Sequence, residues 1–225
     1  MGALPQIVIA DRNYPENKEN KGCKLFGNIF RNYFDKVIIM FSDEQLAKQL
    51  QQGDEAALET LVHRYHGQIH AYLVRMGGEY HLAADIVQEV FIKVCRYIHT
   101  YQPELSFRTW IYTIASNTYK DYLKRSYVQR EVLGVEMGDN AAAAMDTPEA
   151  AVISNAQREA VLQMIGRLGG IYREVLVLRY FQDLKLEEIS LVLKVPLGTV
   201  KSRLRAALHH LRRIHAKEGV SNANR

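Results

Sequence analysis

Six basic side chains, Lys201, Arg203, Arg205, Arg212, Arg213 and Lys217, fall within Pro196–Lys217, a stretch without a single Asp or Glu. Val200, Leu204, Leu208 and Leu211 recur there at three- and four-residue steps, the signature of one helix face. With that face turned inward, the opposite one must present Lys201, Ser202, Arg205 and Ala206, with Arg203 and Arg212 toward the flanks. Just upstream, a shorter segment carrying Ile189 and Leu193 is joined to it through Lys194-Val195-Pro196. Two short helices, a tight turn and a basic second helix make a helix-turn-helix. Its chemistry is DNA reading: the first half of the second helix meets base edges in a major groove, and the remaining cations neutralise phosphates. A merely solvated basic helix would explain the charge but not the tight turn beside an acid-free face.

Two upstream segments are less specific on their own. In Asp85-Ile86-Val87-Gln88-Glu89-Val90-Phe91, helical spacing puts Asp85, Gln88, Glu89 and Lys93 on an outward polar ridge while Ile86, Val90 and Phe91 turn in. That is also what any amphipathic helix looks like. The segment 107–122 interleaves aromatic and basic residues, a combination that stacks on unpaired bases and holds their backbone. The plainer reading makes Phe107 and Trp110 core and leaves the cations in water. His63, His66 and His70 share one helix face, but there is no HExxH arrangement and the nearest carboxylate is Glu59. They read as surface or boundary histidines, and no metal site is expected. Nor is there a nucleophile motif, a P-loop or a dinucleotide glycine pattern. No catalytic residue, cofactor or small-molecule substrate is expected, so the chain reads as a non-enzyme.

The elements that must position these segments are all helical. Leu58, Leu61, Val62, Tyr65, Ile69, Tyr72, Leu73 and Met76 mark one helix, which Gly77-Gly78 should stop. Ala83, Ile86, Val87, Val90, Phe91, Val94 and Ile98 mark a second. Pro103 breaks the chain, and Ser106 can cap a third helix running to about Arg125, with Phe107, Trp110, Ile111, Ile114, Ala115 and Thr118 inward. Val161, Leu162, Ile165 and Leu168, then Val175, Leu176, Leu178 and Tyr180, resume the pattern before Leu186–Leu193 and Leu197–Ile214. No strand-like alternation competes.

Charge divides the 225 residues into blocks. Residues 131–155 hold Glu131, Glu136, Asp139, Asp146 and Glu149 with no Lys or Arg, between a charge-balanced block and a basic one. The expected organisation is an all-α chain of two small helical domains, 40–130 and 151–215, joined by a flexible acidic linker, 131–150, the second domain a helix-turn-helix. Pro148 suits the first turn of a new helix. Residues 216–225 are expected as a tail and residues 1–39 as a poorly ordered extension. Met40 stands just before the first helical pattern, so either translation starts there or the extension is a genuine flexible tail. No apolar run approaches the roughly 20 residues of a membrane span, no secretory signal is visible, and Cys23 and Cys95 have no zinc spacing. A reducing, cytoplasmic setting is expected.

Taken in order, three segments resemble the sigma-70 family of bacterial RNA polymerase subunits, in its extracytoplasmic-function (ECF) group. They are Asp85–Phe91, Phe107–Tyr112 with Ala115 and Asn117, and Pro196–Arg203; Asp146-Thr147-Pro148-Glu149 resembles the start of the second domain of such factors. The resemblance spans about Asp43–Arg213, and residues 1–39 have no counterpart in it. It implies a dissociable promoter-specificity subunit. Asp85, Gln88, Glu89 and Lys93 would dock on the clamp of the largest polymerase subunit. Tyr101–Ser106 and the following helix would capture a flipped base at the minus-10 element, with Arg108, Tyr112, Asn117 and Lys120 near the melted strand. Thr199, Lys201, Ser202, Arg203, Arg205 and Ala206 would read the minus-35 element, with the second domain also meeting the flap of the second subunit. An anti-sigma protein and promoter DNA are the other implied partners, in a stress or envelope response, with no direct membrane insertion. The competing class is a one-component regulator whose N-terminal half senses a ligand or dimerises; a sensor has no reason to carry the Asp85–Phe91 and Phe107–Asn117 pair.

Residues 1–39 carry no periodic apolar face with which to offset ordering entropy. A chain starting at Met40 should therefore fold and support run-off transcription at the full-length level. Loss of polymerase binding on this truncation would give the extension a role.

Overall fold

The computed structural model describes residues 41–133 and 155–223. The acidic connector with Pro148, residues 1–39 and the possible start at Met40 lie outside them. From Ser42 on, the described residues form one compact unit, built from helices alone: α1 (Asp43–Gln51), α2 (Glu55–Arg75), α3 (Tyr80–Tyr97), α4 (Phe107–Leu133), α5 (Asn155–Gly166), α6 (Gly170–Tyr180), α7 (Leu186–Leu193) and α8 (Leu197–Ala223), with a 3₁₀ turn at Ile98–Thr100.

The local signals act where expected. Ser42 and Gln45 form a reciprocal capping box at the start of α1. The Ser106 hydroxyl accepts the Thr109 amide at 3.2 Å at the start of α4. Glu44 accepts the Phe107 amide at 3.3 Å, placing an anion at the positive end of that helix. Gln51 donates to the carbonyls of Ile98 and Tyr101, each at 2.9 Å, tying α1 to the loop that leads into α4.

All seven apolar positions read for α3 are buried, as are Leu61, Tyr65, Ile69, Tyr72, Leu73 and Met76 of α2 and its C-terminal cap. They join Phe107, Ile111, Ala115 and Tyr119 of α4 in a core continuous with Ile165, Val175, Leu178, Ile189, Val192 and Val200 of the C-terminal helices. Tyr180 departs from the expected pattern at 58% exposure, because α6 ends there and the chain turns away. Two helices outrun their expected ends. α4 continues past Arg125 to Leu133, since no Gly or Pro intervenes before Gly134. α8 continues past Ile214 to Ala223, into the segment expected as a tail: extending a formed helix is easy, and the single Gly219 costs only about 1 kcal/mol.

Gly77 ends α2 at φ +101°, and a Cβ there would lie 2.6 Å from Nη1 of Arg173. That guanidinium donates to the Met76 carbonyl at 2.8 Å and to the Leu168 carbonyl at 3.0 Å, and also to the Gly166 carbonyl. The turn therefore needs glycine for its dihedral and for its space. Gly77→Ala should lower unfolding stability by about 1–3 kcal/mol, read as a shifted urea midpoint with an unchanged m-value.

Candidate nucleic-acid interface

The helix-turn-helix is held from both ends of its turn. Lys194 adopts the left-handed conformation (φ 52°, ψ 45°) at the end of α7, and the Ser190 hydroxyl donates back to the Val195 carbonyl at 2.6 Å. The Pro196 carbonyl accepts from the amides of Thr199 and Val200 at 2.9 and 3.1 Å, opening α8. Val200 and Ala207 are fully buried, and Leu204, Leu208, Leu211 and Ile214 pack partly against the core. The opposite side therefore faces out. Lys201, Ser202 and Arg205 are exposed, and Thr199, Arg203 and Ala206 are half-buried at its edges. This is a cationic face of donors set on a rigid helix. Ala207, an unremarkable residue in the sequence, is a main anchor because its small side chain lets the helices approach.

On α3, Asp85 and Gln88 are exposed, whereas Glu89 and Lys93 are half-buried and engaged within the chain. Glu89 pairs with Lys93 at 3.1 Å and with Arg125 at 3.4 Å, and Lys93 also donates to the Thr118 hydroxyl at 3.1 Å. Burial pushes the Glu89 carboxyl up, but the hydrogen bond and charge of Lys93, helped by Arg125, outweigh it and hold it below the usual range. Ile92, 55% exposed and one turn beyond Gln88, adds an exposed apolar side chain to this ridge. An apolar residue off the inward face of a helix was the signal for it.

The four residues expected beside a melted strand are treated unequally. Asn117 is exposed on α4. Lys120 is partly exposed, its ammonium 3.1 Å from Glu174 and 2.9 Å from the Ser116 hydroxyl. Arg108 is half-buried, and its Nε has no hydrogen-bond partner among the described residues. Tyr112 is fully buried, stacked edge-on to Tyr72 with centroids 5.5 Å apart, its hydroxyl donating to Gln182. Burial raises the Tyr112 phenol well above its ordinary value, with Arg108 and Arg75 opposing. In this arrangement Tyr112 does not reach a strand. Tyr101, Phe107 and Trp110 form an aromatic cluster at the head of α4, with centroids 5.5–5.6 Å apart, that shapes the loop before it. Among the described residues no group of His, Cys, Asp and Glu could hold a metal. His70 bonds the Tyr80 carbonyl at 3.1 Å, while His63 is exposed.

An outward-facing basic helix in a helix-turn-helix, preceded by an exposed acidic ridge, is also the order of parts in proteins of known family. Sigma-70 region 2 matches residues 61–127, and sigma-70 region 4 matches residues 158–211. The ECF RNA polymerase sigma factor SigW of Bacillus subtilis is 36% identical over 173 residues, covering 74% of this chain and 92% of SigW. The chain belongs to the sigma-70 family, in its ECF group. The ECF sigma-E factor of Escherichia coli K12 is 32% identical over 190 residues, covering 80% of this sigma factor and 93% of its own length. The RNA polymerase sigma-H factor of Pseudomonas aeruginosa is 35% identical, covering 72% and 88%. The fold is shared with two solved structures. CnrH, in complex with the cytosolic domain of CnrY, has a TM-score of 0.58 at 20% identity, covering 78% of this chain and 97% of CnrH. The sigma factor RpoE of Bartonella quintana, in complex with the anti-sigma factor NepR, has a TM-score of 0.56 at 18% identity, covering 70% and 96%. The match to region 2 disfavours the one-component regulator. Among the described residues no helix is long and apolar enough to cross a membrane.

Glu89→Gln removes a half-exposed carboxylate from two cations, a change worth at most about 1 kcal/mol. Its folded-state proton affinity lies below the unfolded value near 4.5, so the stability it contributes is present above that pH and is lost as pH falls through the folded value. Urea denaturation at pH 7 should find the variant slightly weaker than wild type, and at pH 3 the gap should narrow.

Proposed function

We propose that this sigma factor brings core RNA polymerase to promoters through two protein contacts and two DNA contacts. Residues 40–130 dock on the clamp of the largest subunit through Asp85, Gln88 and Ile92, with Glu89 and Lys93 bracing that ridge. The same half takes the minus-10 strand along Arg108, Asn117 and Lys120 of α4; Tyr112, expected beside them, is sealed against Tyr72 and Gln182 and is not part of that contact. Residues 151–215 meet the flap of the second subunit and read the minus-35 element with Lys201, Ser202 and Arg205, flanked by Thr199, Arg203 and Ala206. The supporting observation is the exposed trio Lys201, Ser202 and Arg205, held outward by buried Val200 and Ala207. The protein has no chemistry of its own in this role: it positions the polymerase. An anti-sigma partner follows from likeness to RpoE of Bartonella quintana, solved with one. The setting is the cytoplasm and the occasion a stress or envelope response. Run-off transcription on genomic fragments with purified core polymerase tests this reading. Discrete transcripts are expected only when both proteins are present; their absence would overturn it.

Base readout and phosphate contact separate along α8. Arg205 lies in the half that enters the groove, while Arg212 lies two turns farther on, where the helix has reached the backbone. In holoenzyme selections on randomised minus-35 DNA, Arg205→Ala should lose about 1–3 kcal/mol of base discrimination. Arg212→Ala should weaken all sequences alike and lower the salt slope by about one. The reverse pattern would mean that α8 enters the groove the other way round.

A further inference from the structure

Helix α1 holds both ends of the segment that joins α3 to α4. Along α1, Glu44, Ala47 and Gln51 recur at three- and four-residue steps and so share one face. Ala47 is fully buried at the centre of that face. Glu44 and Gln51 stand about two turns apart, about 10 Å along the axis. The Gln51 amide donates to the carbonyls of Ile98 and Tyr101, each at 2.9 Å, where the chain passes through the 3₁₀ turn. Glu44 accepts the Phe107 amide at 3.3 Å, where α4 begins. Between these two points lies Tyr101–Ser106, the loop that the family resemblance assigns to a flipped minus-10 base. Helix α1 is itself fixed on α2, because Asp43 accepts from Arg64 and from the Tyr65 hydroxyl.

The loop is shaped from within as well. Ile98, Tyr101 and Phe107 are buried, and Tyr101 packs edge-on to both Phe107 and Trp110. The Tyr101 hydroxyl donates to the Leu105 carbonyl at 2.8 Å, and the Leu105 amide to the Gln102 carbonyl at 3.1 Å. Gln102, Pro103 and Glu104 are left exposed at the tip. Aromatic packing fills space but does not fix the direction of a carbonyl. The Gln51 amide does, at the loop's entry. Gln51 is exposed overall, so its two hydrogen bonds rather than its burial are what the side chain supplies.

We propose, resting on the assignment of Tyr101–Ser106 to a flipped minus-10 base, that α1 is a brace that sets this loop's shape. Gln51 and Glu44 are its positioning residues for minus-10 specificity, and neither touches DNA. Taking a base out of the stack is costly, and a pocket formed in advance offsets more of that cost than one that must order as it binds. With its entry released, the loop would order only as the base arrives, and right and wrong bases would differ less.

The test uses the full chain with core polymerase, in selections on DNA randomised at the minus-10 element. Gln51→Glu keeps the side-chain length but sets a carboxylate against two carbonyls. The ratio of favoured to disfavoured base at the captured position should fall about tenfold, as the loss of two hydrogen bonds implies. Minus-35 preference and polymerase affinity should stay at wild-type values. Glu44→Ala should lower the same ratio about threefold, and Glu44→Gln, which still accepts the amide, should restore it. Trp110, the chain's only tryptophan, reports on the loop directly, and its emission should move to the red in the free Gln51→Glu chain. An unchanged minus-10 ratio in Gln51→Glu, with helicity intact by circular dichroism, would overturn the brace, as would equal losses at minus-10 and minus-35. If Gln51→Glu loses helicity, Gln51→Met removes the donors without adding charge; about a threefold fall is expected, and no fall overturns the proposal. A wild-type holoenzyme without any minus-10 preference would overturn the strand assignment instead, whereas the Trp110 shift still decides whether Gln51 shapes the loop.

Discussion

Burying a carboxylate between helices is costly unless hydrogen-bond donors meet it, and Glu174 is met by Tyr72 from α2 and by Ser116 and Lys120 from α4. That requirement sets much of the arrangement around it. It fixes how α6 lies across α2 and α4, and with it where Arg173 reaches the end of α2. There the guanidinium takes the Met76 carbonyl in space that only Gly77 leaves open. The polar seam between Tyr112, Gln182, Thr109 and Glu188 extends the same contact along α4.

The apolar core and the polar seam do different work. Within each half, helices are joined by buried Leu, Ile, Val and aromatic side chains whose exposure to water would be costly. Between α4 and the C-terminal helices, apolar burial is interrupted by hydroxyls, amide and charge, whose separation water can compensate. The first helix of the helix-turn-helix, α7, joins this seam through Glu188, while the exposed side of α8 keeps Lys201, Ser202 and Arg205 clear, because Val200 and Ala207 hold its opposite side.

The ridge on α3 shows how pairing changes what a charged residue can offer. Spacing alone makes Asp85, Gln88, Glu89 and Lys93 equivalent members of one face. In the fold, Arg125 and Thr118 of α4 draw Glu89 and Lys93 toward the chain, and Asp85, Gln88 and Ile92 are left exposed.

Helical class, the faces of α2, α3 and α8, the stop at Gly77 and the cap at Ser106 were all legible in the sequence. Each depends on residues no more than about one or two turns apart, and the 3.6-residue period records such relations directly. The extents of α4 and α8 were less legible, because a helix without a breaker continues past the last residue that packs. The cover over Tyr112 and Ser116 was not legible at all. Its partners lie dozens of residues away, and Glu174, between Arg173 and Val175, looks like an ordinary surface acid. Burial and pairing of such a residue follow from which helices meet, and that is decided by the packing of the whole chain rather than by any local pattern.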